Sequence, residues 1–291
     1  TFIKRIYTFW FWIFLILTID ILFETLFGHN MIGNKSNMLG RIASFFDNEL
    51  IIGAFYHGFA LFIFSYLILS KVKNHFLIFL IIFILLTGFL IGERSNYIKL
   101  FLSTIFFSSL ALQVNYKVKI ISFFTLLIIM FTFININSPF KARYFTQIKD
   151  LFSINGYSKY IKNSQYGAHR NAAIKIFKEN LIFGVGVKNF RNESGKKKYE
   201  NKDYKWTDLR QSTHPHQIHH EFLSETGIFG YLCFLIFILS TIYLSFKNYL
   251  KFKNLYQLSA IIFITTSLLP LLPSGSFLST YTSGIFWINF A

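Results

Sequence analysis

Long apolar stretches cut by short polar ones set the pattern of this chain. They cover 7–27, 49–70, 75–92, 97–113, 120–136, 221–246 and 256–272, with a partial piece at 277–291 after a break at Pro270 and Pro273. Several approach the ~20 residues that a helix needs to cross a hydrocarbon core. One segment, 137–220, is hydrophilic throughout and too long to be structureless, so it should carry elements of its own. Within it, 169–180 reads as an amphipathic helix, with Ala172, Ala173, Ile176 and Phe177 on its apolar face. The pattern predicts an all-α fold, a polytopic transmembrane bundle of about seven to eight spans. Its parts are transmembrane helices 1–5 over 1–136, an extracytoplasmic loop with amphipathic helices over 137–220, and C-terminal transmembrane helices over 221–291.

Charge orients the bundle. The short loops on one side hold Lys4 and Arg5, Lys71 and Lys73, Lys117 and Lys119, and Lys247, Lys251 and Lys253. The positive-inside rule makes that side cytoplasmic. Loops as long as 137–220 escape the rule, so its excess of 16 Lys and Arg over 6 Asp and Glu does not reverse the assignment. The net charge of +16 would otherwise suggest nucleic acid. Its basic residues lie in loops between apolar spans, however, which fits anionic lipid head groups or a phosphate-bearing substrate and no nucleic acid. The single Cys233 lies in an apolar stretch and excludes an intrachain disulfide. Because residue 1 is Thr, the chain is expected to be a piece of a longer protein.

Candidate chemistry gathers on the extracytoplasmic side. Four imidazoles, His214, His216, His219 and His220, stand where the hydrophilic segment meets an apolar helix, beside Glu221 and Glu225. Imidazole titrates near neutrality and suits proton transfer. Arg41 and Arg94 lie in connections on the same side, and Arg170 lies early on the amphipathic helix. A guanidinium fork grips phosphate oxygens in pairs. Asp20 and Glu24, four apart on one helix face, are either hydrated at the helix end or turned inward towards a cation. His216 and His220 have a spacing that can hold zinc, with Glu221 or Glu225 as further ligands, although no HExxH pattern is present.

The stretch HQIHHEFLSETGIFG resembles the His-[Asn/Ser/Gln]-x9-Gly-x-x-[Gly/Thr/Tyr] pattern of the O-antigen ligase and polymerase family. His216, Gln217, Gly227 and Gly230 fill its fixed places. HRNAAI resembles that family's Arg-x3-Leu motif, with Ile174 for Leu, and FGVGVKNF resembles the Gly-x-Gly turn after it. IDILFETLFG, GRIASFFDNELIIGAF and GERSNYIKL resemble its first span and its two arginine-bearing connections. The departures are Gln217, where Asn is commoner, and the extra imidazoles His214, His219 and His220.

The resemblance implies a metal-independent, inverting membrane glycosyltransferase without cofactor, in the bacterial inner membrane with its active site facing the periplasm. Its donor would be an undecaprenyl-pyrophosphate-linked glycan. Its acceptor would be lipid A–core for a ligase, or another lipid-linked repeat for a polymerase. His216 would be the general base, with Arg41, Arg94, Arg170 and Gln217 binding pyrophosphate and substrate. Asp20, Glu24 and His220 would support them. A flippase for the same lipid-linked sugar is the competing class, but its polar groups should cluster near the bilayer midplane.

Overall fold

The computed structural model describes residues 2–47, 49–146 and 149–291. Among these residues every regular element is helical: α1 Phe2–Phe27, α2 Ile52–Leu69, α3 Asn74–Leu90, α4 Arg94–Ala111, α5 Tyr116–Ile136, α6 Ser138–Lys141, α7 Gly156–Lys162, α8 Gln165–Glu179, α9 Phe190–Glu193, α10 Ile218–Phe252, α11 Leu255–Ser267 and α12 Thr280–Phe290. Each apolar stretch became a helix. Four of them, α1, α2, α5 and α10, are long and apolar enough to cross a membrane. The 17 residues of α3 and 13 of α11 are apolar but shorter. The chain divides into two compact units, Thr1–Gln147 with Asn248–Thr266, and Ile148–Lys247 with Ser267–Ala291. The long loop is therefore shared: its first residues belong with α1–α5, and the rest belongs with the first part of α10.

In the first unit α2 is the buried centre. Trp10 of α1 stacks on Phe59 at 4.4 Å and Phe14 packs on Tyr56 at 4.4 Å between ring centroids. Small hydroxyls bring other helices close, since Ser65 and Ser259 hydroxyls lie 2.8 Å apart and Ser259 donates to the Leu61 carbonyl at 2.9 Å. Such bonds hold helices together where no hydrophobic force between them remains. His57 lies in the same interior with Nε2 2.9 Å from Thr266 Oγ1, which in turn lies 2.8 Å from Ser103 Oγ. At the far end of α5, Asn137 closes one helix and opens the next by accepting from the Phe140 amide at 3.2 Å.

In the second unit Ser164 caps α8 by accepting from the Gly167 amide at 3.1 Å. The apolar face expected of this helix is largely formed: Ala172, Ala173 and Ile176 pack with Phe190 and Tyr199 into a small core. Helix α10 is two helices joined at Gly227, whose φ of 66° and ψ of −169° no other residue adopts readily. The break frees the amides of Ile228 and Phe229 and the carbonyls of Ser224 and Glu225. The turn 181–186 takes all four: Ile228 N to Leu181 O at 2.8 Å, Phe229 N to Ile182 O at 3.2 Å, Val185 N to Ser224 O at 3.0 Å and Gly186 N to Glu225 O at 2.9 Å. The Gly-x-Gly turn and the motif glycine are thus two halves of one backbone joint.

A Cβ at 227 would stand 2.3 Å from the Ile182 carbonyl oxygen. Gly227→Ala should therefore cost about 3 kcal/mol or more, from steric overlap and an unfavourable backbone region together. A melting temperature in detergent within a degree or two of the parent protein's would contradict this account of the joint.

Candidate functional site

The functional side chains form two sets, one in each unit. The first is built from the end of α1 outward. Asp20 and Glu24 are buried, and the groups that meet them are loop amides and a hydroxyl rather than a basic side chain. Asp20 accepts from Met31 N at 2.7 Å and Ser44 Oγ at 2.6 Å, and Glu24 accepts from Ser44 N at 2.7 Å and Ala43 N at 3.3 Å. They fasten the 28–47 loop, which holds Ser44 at a φ of 52°. The loop then passes so close to the α3–α4 turn that a Cβ on Gly92 would meet the Gly40 carbonyl at 2.0 Å. Ile42 N bonds Ile91 O there at 3.0 Å.

This contact sets Arg41 beside Glu93. Arg41 Nη2 donates to Leu50 O at 2.7 Å and lies 3.4 Å from Glu93 Oε1, while its Nε is buried without a partner. Glu93 also accepts from Gly53 N at 3.0 Å and Asn96 Nδ2 at 2.6 Å. Burial pushes its carboxyl above the usual range, against the pull of Arg41. Arg94 Nη1 donates to the Arg143 carbonyl at 2.8 Å, and Arg143 Nη2 donates to the Gly92 carbonyl at 3.0 Å. The Arg41, Arg94 and Arg143 guanidinium groups and the Glu93 carboxylate thus all act on Tyr144, whose hydroxyl burial holds above its ordinary pKa. Such a set has charge to spare for an anion. Arg143 was not singled out in the sequence, because it lies outside every motif, a few residues into the long loop.

The second set surrounds His216. The ring centroid of His214 lies 4.1 Å from that of His216, His169 lies at 5.0 Å and Tyr166 at 5.5 Å. His216 itself sits in the left-handed region at φ 55°, with its carbonyl accepting from Ser274 N at 2.9 Å and its Nε2 3.4 Å from Ser212 Oγ. Non-glycine residues are uncommon there, and histidine is among those that tolerate it best. His169 Nδ1 faces the Arg210 carbonyl at 3.3 Å. A carbonyl only accepts, so His169 carries its proton on Nδ1. Burial pushes His216 down to about 3 and His214 down to about 4, each helped by the neighbouring imidazole or basic groups. These rings are neutral at physiological pH.

The remaining predicted residues divide by what they touch. Gln217 caps α10, accepting from His220 N at 2.9 Å, and donates to Pro270 O at 3.0 Å. Arg170 donates to the Tyr157 hydroxyl at 2.8 Å and lies near enough to His220 for their charges to interact. Glu221 accepts from Phe277 N at 2.7 Å and from the Ser276 hydroxyl. Glu225 accepts from Lys188 N at 2.6 Å and Phe190 N at 3.1 Å. Both carboxylates are thus occupied by loop groups, and no group of three His, Cys, Asp or Glu side chains placed to hold a metal ion occurs among the described residues. His219 is held between the Leu268 carbonyl at 2.8 Å and the Tyr231 hydroxyl at 2.9 Å. By contrast His214 Nε2, His220 Nδ1 and Ser274 Oγ are buried with no hydrogen-bond partner. Buried polar atoms are ordinarily satisfied, so these three are open to a bound polar group.

Residues 53–235, well over half of the chain, match the family model described as O-Antigen ligase. The match takes in Arg94, Arg143, Arg170 and His216. No curated protein and no solved structure matches the chain.

The neutral imidazoles make acid stability a test of the second set. The unfolded chain takes up protons as pH falls below about 6.5. His214 and His216 do not follow until about 4 and 3. Below about 6.5 the unfolded state therefore binds more protons, and stability should be complete above that pH and decline towards pH 4. Replacing both by Gln should flatten that slope in a thermal melt, and an unchanged slope would place the imidazoles in water instead.

Proposed function

The chain belongs to the O-antigen ligase family, and from that premise we propose that it is a membrane glycosyltransferase with His216 as general base. Its donor is a glycan on undecaprenyl pyrophosphate and its acceptor a sugar hydroxyl of lipid A–core. The observation that carries this reading is the His216 imidazole, neutral and half-buried in left-handed backbone beside buried polar atoms without hydrogen-bond partners.

In one displacement the acceptor oxygen attacks the anomeric carbon and forms the new C–O bond. The bond from that carbon to the pyrophosphate oxygen breaks, and the hydroxyl proton passes to the His216 imidazole. Attack opposite the leaving group inverts the anomeric centre. An imidazole this weakly basic becomes a better base when an anion is bound near it, because a negative charge favours the protonated ring. Arg170, beside His220, supplies a fixed positive charge for developing pyrophosphate charge within the same unit. The arginine set of the first unit has the forked donors and excess charge suited to phosphate oxygens of a lipid-linked substrate. With a base and fixed cations supplied by side chains, no step calls for a metal. Gln217 and Glu221 act through position: one caps the helix, and the other holds the 276–277 turn near Ser274. The basic short loops support a cytoplasmic assignment for their side and a periplasmic one for His216.

His216→Ala should lower turnover by about 10²- to 10⁴-fold while donor binding is kept. Asn is at ease in left-handed backbone, so His216→Asn should lose activity equally with a melting temperature closer to the parent's. Purified protein with lipid-linked donor checks this, and substantial turnover by either variant would remove His216 as the base. Supplying lipid A–core and lipid-linked repeat side by side separates ligase from polymerase.

The orientation has its own test. A cysteine at Lys197, in a Cys233→Ser background, should react with a membrane-impermeant maleimide in intact cells whose outer membrane is permeabilised. Labelling that requires lysis would place the His216 set in the cytoplasm.

A further inference from the structure

The turn that clamps the break in α10 is apolar on its outside. Leu181 is 53% exposed, Ile182 60%, Phe183 71% and Val187 60%. This is no slack loop that happens to face water. Four backbone bonds tie it to α10, the Glu225 carboxylate binds the amides of Lys188 and Phe190, and Gly184 lies against the Glu225 carbonyl, where a Cβ would approach to 2.5 Å. The Phe183 ring rests 6.0 Å from that of Phe229, the second residue after the break.

Along α10 the surroundings change at the same point. From Ile218 to Gly227 every residue is buried or half-buried. From Ile228 onward one finds exposed apolar side chains, Phe229, Leu232, Ile236, Phe237 and Leu239 among them. A helix that is buried in protein before a break and presents exposed apolar side chains after it has left a protein environment for a lipid one. The exposed turn is continuous with the lipid-facing stretch and lies level with its first residues. Exposed Lys178 and Lys188 flank the turn, where ammonium groups can reach lipid phosphates.

We propose that Leu181, Ile182, Phe183 and Val187 form a fixed wedge inserted into the acyl region of the bilayer, and that Gly227 marks the depth at which α10 enters lipid. The partner is the bilayer itself. The membrane-embedded limb of α10 then begins at Ile228 rather than at Ile218, and 218–226 is a platform above the lipid.

Spin labels on Ile182→Cys, Phe183→Cys and Val187→Cys test this in a Cys233→Ser background, in liposomes of phosphatidylethanolamine and phosphatidylglycerol. Ile236→Cys serves as the lipid reference and Lys197→Cys as the aqueous one. At the three turn positions collisions with oxygen should exceed those with a water-soluble nickel chelate, as at 236 and opposite to 197. Labels that relax with nickel would put the turn in water and overturn the wedge. Spin–spin broadening would show a second copy of the chain covering it, and shielding from both relaxants would show cover by this chain. Either result overturns the lipid assignment. Three labelled positions keep the result independent of any one variant that fails to fold.

Discussion

Buried carboxylates that accept backbone amides hold this molecule in working order. Asp20, Glu24, Glu93, Glu221 and Glu225 all lie in or beside helices, out of water, and each receives at least one N–H, from a connecting segment or, for Glu93, from the first turn of α2. Removing a carboxylate from water is costly unless amides or hydroxyls replace the lost hydration. The connections supply them, and are themselves ordered by doing so. Asp20 and Glu24 fasten the loop that presents Arg41. Glu93 ties that arginine to the start of α2. Glu221 fixes the turn after Ser274, and Glu225 fastens the joint at Gly227. Without these anchors the polar segments would be long loops with nothing to define the direction of their side chains.

On this scaffold the two units divide charge in opposite ways. The first concentrates permanent positive charge, because a guanidinium stays protonated whatever its surroundings. The second excludes charge, since crowding and burial keep His214 and His216 neutral. A cationic set suits phosphate, and a neutral one suits hydroxyl groups, which both donate and accept as a neutral imidazole does. The transfer proposed above, from a phosphate-bearing donor to a sugar hydroxyl, would use both kinds of surface.

The helices were legible in the chain because apolar runs of this length have few alternatives. The amphipathic helix at Arg170 was legible from its spacing. The partners of the acidic residues were not. Asp20 and Glu24 had suggested hydration or a cation, and Glu221 or Glu225 had entered only as a further ligand in the minor zinc alternative, because backbone amides leave no trace in residue identity. The capping contact of Gln217 was hidden for the same reason, since it is with a main chain. Arg143 and His169 were missed because their neighbours in space, Gly92 and His216, are remote in sequence. Phe177, expected on the apolar face of α8, lies only half-buried beside it.

The break in α10 also has a mechanical consequence. Four main-chain bonds brace it, so the bend is a welded corner and not a hinge. A helix longer than the hydrocarbon is thick accommodates by tilting. Because the corner is stiff, any tilt of the long limb rotates the short limb and Gln217 at its tip by the same angle. If α10 enters lipid at Gly227 as proposed, tilt of its long limb would carry the imidazole cluster with it, and lipid composition would act mechanically on the candidate site.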